Sequence, residues 1–164
     1  MYLNCHSFHS LRYGTIPLLD LVQQAVFCGV KIMALTDINT VTGIYDFIKA
    51  CKEAEIKPLV GIEFRCNHQL RYIGLAKNTN GLAEMNRFLT KNNFENSPLQ
   101  STAPDFNDVT IIYSFENKPT KLKAHEYIGI APDQLPKLFL PEWKVLLHKM
   151  VVLQPVTFRT KREL

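Results

Sequence analysis

Apolar residues along this chain come in short runs that end abruptly in polar tips. Residues 32–35 (IMAL) are uniformly apolar, the pattern of a strand buried on both faces, and stop at Thr36-Asp37. Two stretches share that design: YLNC, ending in His6, and KPLVGIEFR, residues 57–65, which carries Glu63. Between the first two runs, residues 17–28 have helical periodicity, with Leu18, Leu21, Val22, Ala25 and Val26 on one face. Thr15 suits the N-cap, Pro17 the first turn and Gly29 the position after the helix. A second helix is expected over residues 44–54, with Phe47, Ile48 and Cys51 inward.

Residues 71–76 (RYIGLA) read as a fourth strand after a hairpin-like link, residues 66–69. Thr79 or Asn80 could cap a third helix over residues 81–91, where Leu82, Met85, Phe88 and Leu89 share a face. Residues 94–108 are rich in Pro, Ser, Asn and Asp and read as an exposed excursion. Residues 109–114 (VTIIYS), 126–130 (EYIGI) and 150–153 (MVVL) return as strands. A short helix broken by Pro136 is expected over residues 132–140, and residues 143–148 are amphipathic but of no clear type. The order β-α-β-α-β-β-α argues for an α/β fold with mostly parallel strands and right-handed crossovers. The chain divides into core βα units (1–92), the excursion (93–108) and later strands (109–164).

With 164 residues, 46% hydrophobic and 21% charged, the chain can bury a sizeable core. No apolar run approaches the roughly 20 residues of a membrane span, and no secretory leader is visible. The four cysteines lack CxxC spacing and are expected to be buried free thiols in a reducing compartment. The net charge of +4 permits a nucleic-acid partner without requiring one. KPTKLK (118–123) and RTKR (159–162) could touch DNA backbone or be solvated loops.

The strand tips carry the candidate chemistry. Metal-dependent phosphate hydrolysis needs N and O ligands held around an open water position, and His6, His9, Asp37 and Glu63 supply such atoms. Other readings stay open. His6 and His9 could cap a loop, and Asp37 could be an N-cap or Asx-turn. Glu63 interrupts an apolar strand, where an unpaired carboxylate is costly, so a salt bridge to Arg65 or Lys57 would also account for it. Cys66 and His68 lack the second pair a zinc site needs, and His125 and His148 are expected at the surface.

YLNCHSFHSLRYG, IMALTDINTVTGIYDF, IKPLVGIEFR and YIGLAKNTNGLAEMNRFLT resemble, in order and spacing, the PHP (polymerase and histidinol phosphatase) domain at the N-terminus of bacterial replicative DNA polymerase III alpha subunits. The resemblance implies a partial, distorted (β/α)₇ barrel in an N-terminal fragment of a much longer chain. It also implies metal positions at His6 and Glu63, with Asp37 supporting. Active members begin His-x-His, which aligns here on Asn4, Cys5 and His6. Their Thr-Asp-His becomes Thr36-Asp37-Ile38, and an acidic residue near the first Gly becomes Tyr13. Asn4 and Ile38 thus replace nitrogen ligands, which implies a degenerate site with at most weak affinity for zinc, manganese or magnesium.

From the resemblance follow a cytoplasmic, non-catalytic scaffold within a DNA-directed DNA polymerase, and as partners the rest of that chain, a proofreading exonuclease and, through the parent protein, DNA. The competing expectation is an active phosphoesterase or 3′-5′ exonuclease using His6 and Glu63. A stand-alone histidinol-phosphatase type fits the fourth block least. Half a barrel should leave open sheet edges.

Overall fold

A computed structural model describes residues 1–158. The elements are β1 (Tyr2–Cys5), α1 (Leu18–Phe27), β2 (Ile32–Leu35), α2 (Ile44–Glu53), β3 (Lys57–Cys66), β4 (Gln69–Ala76), α3 (Thr79–Phe94), β5 (Val109–Ser114), β6 (Glu126–Ile130), α4 (Pro141–Lys144) and β7 (Met150–Val152). Short 3₁₀ segments at Pro132–Phe139 and Leu147–Lys149 flank α4. The seven strands form one sheet in chain order. β4 runs antiparallel to β3 and β5, and every other neighbouring pair is parallel. This mixed, curled sheet with helices is the α/β fold expected from the pattern of elements and the partial barrel that the resemblance implies.

The β1 edge is not left open. Beyond β7 the chain returns to it, and Val156 bridges Cys5 in parallel. The His6 N–H donates to the Val156 carbonyl at 2.8 Å, and the Val156 N–H to the Asn4 carbonyl at 2.9 Å.

Local sequence accounts for most elements. In α1, Leu18, Leu21, Val22 and Ala25 are buried, and Gly29 takes φ +66°, a left-handed backbone that favours glycine after a helix. Thr15 does not cap this helix. Pro17 is the N-cap residue, without a side-chain cap bond, and the Thr15 N–H donates to the Thr157 carbonyl at 3.3 Å. In α3 the cap is Asn78, whose Oδ1 accepts from the Gly81 N–H at 3.0 Å, rather than Thr79 or Asn80. Asn67 and His68, at φ 49° and 67°, make the tight turn between β3 and β4, the left-handed pair that matches strand twist.

The sheet is apolar on both faces. Met33, Leu35, Phe47 and Cys51 belong to a core with α1 and α2. Ile62, Phe64, Met85 and Ile111 belong to one with α3. Ala34, Ile73, Leu75, Ile112 and Leu153 form a third cluster from the alternate strand positions. The stretch 94–108 is not simply exposed. Leu99, Ala103 and Phe106 are buried, and Phe106 meets Phe88 edge to face at 5.6 Å. Its polar residues face water while three apolar ones pin it to α3 and β5.

Of the basic stretch 118–123, Lys118 lies 4.5 Å over the Trp143 ring and Lys123 ion-pairs with Asp105. The RTKR stretch lies outside the described residues. Among the described residues, no helix is long and apolar enough to cross a membrane.

Candidate functional site

Parallel pairing of β1, β2 and β3 places the ends of the first two strands beside the middle of the third. Asn4 thereby meets Glu63, and Thr36 meets Asn4. The Asn4 amide Nδ2 donates to Glu63 Oε2 at 2.9 Å, and its Oδ1 accepts from the Thr36 hydroxyl at 2.8 Å. His6 Nε2 lies 3.0 Å from the same Oε2, and its Nδ1 lies 3.1 Å from the Thr157 hydroxyl. Arg65 Nε donates to the other oxygen, Oε1, completing an ion pair. Ile38 bridges Glu63 in parallel, and its N–H donates to Ser10 Oγ at 3.0 Å. Asn4, Ile38, His6 and Glu63 therefore share one rim, as the strand tips suggested.

Glu63 is wholly buried. It pairs across the ladder with Ile73, which pairs with Ile112, so its side chain lies on the face of the third apolar cluster. Burial there would raise its pKa. The hydrogen bond and charge of His6, with the Arg65 guanidinium, outweigh burial and hold the carboxyl below its ordinary value. Of the two cations suggested for Glu63, the structure selects Arg65.

Asp37 does different work. It is buried, and its Oδ1 accepts from the Ser7 N–H at 2.7 Å and the Ser10 hydroxyl at 2.6 Å. Its Oδ2 accepts from the Ser7 hydroxyl at 2.7 Å. The carboxylate thus ties the loop after β1 back onto β2, rather than capping the loop that follows it. Gly14 closes the same loop against Ser7: an added Cβ would sit 1.8 Å from the Ser7 carbonyl oxygen.

The remaining candidates lie elsewhere. His9 stacks on Phe8, with ring centroids 4.2 Å apart, beside Gly43 and Leu18. His68 occupies the β3–β4 turn and is hydrogen-bonded through Nδ1 to the Tyr13 hydroxyl. His148 is exposed, whereas His125 is half-buried, with an Nε2 that lacks a partner among the described residues. Only Cys5 and Cys51 are buried among the four free thiols. Cys28 is exposed and Cys66 half-buried, because each falls at the margin of its element.

Ser7, Ser10, Thr36 and Thr157 join the site, although only Thr36 figures in the sequence motifs, and not as a site residue. Three are small hydroxyl residues adjoining the first two strand tips, a weak local signal. Thr157 is 151 residues from His6 and carries no signal at all.

The donor set fits a metal poorly. Each Glu63 oxygen already accepts an N–H group, one from Asn4 and one from Arg65, and Arg65 is a permanent cation that repels a metal ion from the same carboxylate. Among the described residues, no group of three or more His, Cys, Asp or Glu side chains could hold a metal ion.

The PHP domain model matches residues 3–125, and the chain belongs to the PHP domain family. Among its relatives is the DNA polymerase III subunit alpha of Staphylococcus aureus (strain N315), 28% identical over 172 residues that cover 99% of this chain and 16% of that protein. The error-prone DNA polymerase of Symbiobacterium thermophilum is 34% identical over 90 residues, 55% of this chain and 8% of that one. The chain thus spans about a sixth of the length of the S. aureus relative. A crystal structure of a putative metal-dependent phosphoesterase from Bifidobacterium adolescentis aligns over 55% of this chain and 32% of its own, with 22% identity and a TM-score of 0.43.

Proposed function

We propose that this chain is the N-terminal PHP segment of a replicative DNA-directed DNA polymerase, a nucleotidyltransferase of DNA replication, and that it serves there as a non-catalytic scaffold. His6 and Glu63, with Asp37 supporting, are the remnant of a metal site in which Asn4 and Ile38 stand where ligands would be. The observation that carries this reading is the occupation of both Glu63 oxygens by N–H groups of the chain itself. A carboxylate engaged in this way holds buried polar structure together and is not poised to activate water. Family membership and the polymerase relatives support the parent assignment.

In that role the segment braces the remainder of the polymerase chain, offers its surface to a proofreading exonuclease, and meets DNA only through the parent protein in the cytoplasm. Affinity for zinc, manganese or magnesium is weak.

Purified full-length protein should extend primed DNA and carry well under one transition metal per chain. Glu63→Ala should leave polymerase turnover within a few-fold of the parent. Absence of polymerase activity would remove the parent assignment. Stoichiometric zinc, or a chelator-sensitive nuclease abolished by His6→Ala, would establish the active phosphoesterase instead.

A further inference from the structure

We propose that Arg65 is the resident cation of this pocket: its guanidinium is the counter-charge that lets Glu63 stay buried, and its position denies that carboxylate to divalent metal. The inference rests on the degenerate-site reading and names what has taken the metal's place.

A fully buried carboxylate on an apolar sheet face must be compensated by charge as well as by hydrogen bonds. The Asn4 amide is neutral. His6 faces Glu63 from Nε2 and adds positive charge there only when it is protonated, and its Nδ1 lies within reach of the Thr157 hydroxyl. Among the described residues, Arg65 is the one group touching Glu63 that is charged at every working pH.

The backbone around Arg65 is arranged to aim it. The β3–β4 register shifts between Phe64 and Arg65, and such a bulge redirects the side chain that follows. At this point the side chain of Asn39 takes over part of the backbone bonding: its Oδ1 accepts from the Arg65 N–H at 3.0 Å, and its Nδ2 donates to the Arg65 carbonyl at 2.9 Å. The guanidinium then packs 4.6 Å above the Tyr13 ring, and Nη1 reaches the His68 carbonyl at 3.5 Å. Tyr13 is itself held by His68. Arg65 is clamped on both sides, and its side chain is 21% exposed beside the wholly buried Glu63. The two residues line one cavity of about 200 Å³ with Asn4, Leu70 and Ser114. A metal ion approaching Glu63 through that cavity has to displace the guanidinium and desolvate beside it.

The test uses the full-length protein with Arg65→Met, Arg65→Lys, Glu63→Gln and the Arg65→Met/Glu63→Gln double variant. Arg65→Met keeps an unbranched apolar stem and removes the charge. It should lower the melting temperature by about 5 °C, and adding Glu63→Gln should recover at least half of that loss, since the orphaned charge is gone. Arg65→Lys should lie between parent and Arg65→Met. Calorimetric titration with Mn²⁺ should show Arg65→Met binding about tenfold or more tightly than the parent, and the double variant no better than the parent.

Arg65→Met melting with the parent, or a loss that Glu63→Gln does not relieve, overturns the counter-charge role. Equal Mn²⁺ affinity in parent and Arg65→Met overturns the exclusion of metal. Tight stoichiometric Mn²⁺ in the parent would sink the degenerate-site reading as well. Failure of the stability cycle in a parent that binds no metal sinks only the role of Arg65.

Discussion

Removing the Asp37 carboxylate should loosen the loop that delivers His6 to the site, and the structure sets the size of the effect. Asp37 is 2% exposed and accepts three short bonds, from the Ser7 N–H and the hydroxyls of Ser7 and Ser10. Hydrogen bonds to a charged group are worth roughly 1.5–3 kcal/mol each, and a buried donor left without a partner costs about 1–3 kcal/mol. In Asp37→Ala the Ser7 N–H and both hydroxyl protons lose their acceptor. The hydroxyls can rotate, but their oxygens already accept from the His9 and Ile38 N–H groups, which limits relaxation. The expected loss is about 3–5 kcal/mol, a large share of the 5–15 kcal/mol that holds a domain folded.

Asp37→Asn keeps one acceptor oxygen and presents an amide to a hydroxyl that can turn to accept it. It should cost only about 1–2 kcal/mol. Urea unfolding at constant m-value measures both, and hydrogen exchange at the Ser7 amide should speed up in Asp37→Ala. The reasoning fails if Asp37→Ala stays within about 0.5 kcal/mol of the parent, the range of an ordinary surface change, or if the two variants cost the same.

Acid should weaken the parent more than Glu63→Gln. The folded-state pKa of Glu63 lies below the ordinary 4.5, so its contribution is complete above that value and is lost as pH falls through the folded value. Urea midpoints taken downward from about pH 6 should therefore drop faster in the parent, and parallel acid limbs would count against this. Burial first, then Asp37 and Cys51, push the Cys5 thiol up to about 12, and burial pushes Cys51 up to about 11, whereas Cys28 is exposed. Iodoacetamide on the native protein should therefore label Cys28 well before Cys5 or Cys51, as read by peptide mass spectrometry; equal rates would contradict the packing. Tyr113→Phe strips the Ala103 N–H of its acceptor at 3.0 Å and Glu126 of a donor at 3.3 Å. It should cost about 1–3 kcal/mol in urea unfolding and free the 94–108 stretch to proteolysis. An unchanged midpoint would mean that stretch is held by Leu99 and Phe106 alone.

The elements of this fold were largely written in short-range pattern. The faces of α1 and α2, the apolar run of β2 and its stop at Thr36-Asp37, and Gly29 after the first helix all follow from residues within a turn or two of one another. The rim was legible in part: parallel strands put their tips on one side of a sheet, which brought forward His6, Asp37 and Glu63, although His9, offered with them, packs against Phe8 instead. Which partner each of them takes was decided only by the tertiary structure. Asp37 ties down Ser7 and Ser10 instead of its own loop, Val156 and Thr157 return to close the β1 edge, and Phe106 anchors a stretch that reads as polar. Hydrophobic periodicity records whether a side chain is buried, because burial repeats with the helix or strand. It holds no record of which distant N–H or hydroxyl will satisfy a buried polar group, because that depends on where the curled sheet brings remote chain segments together, as with His6 and Thr157, 151 residues apart.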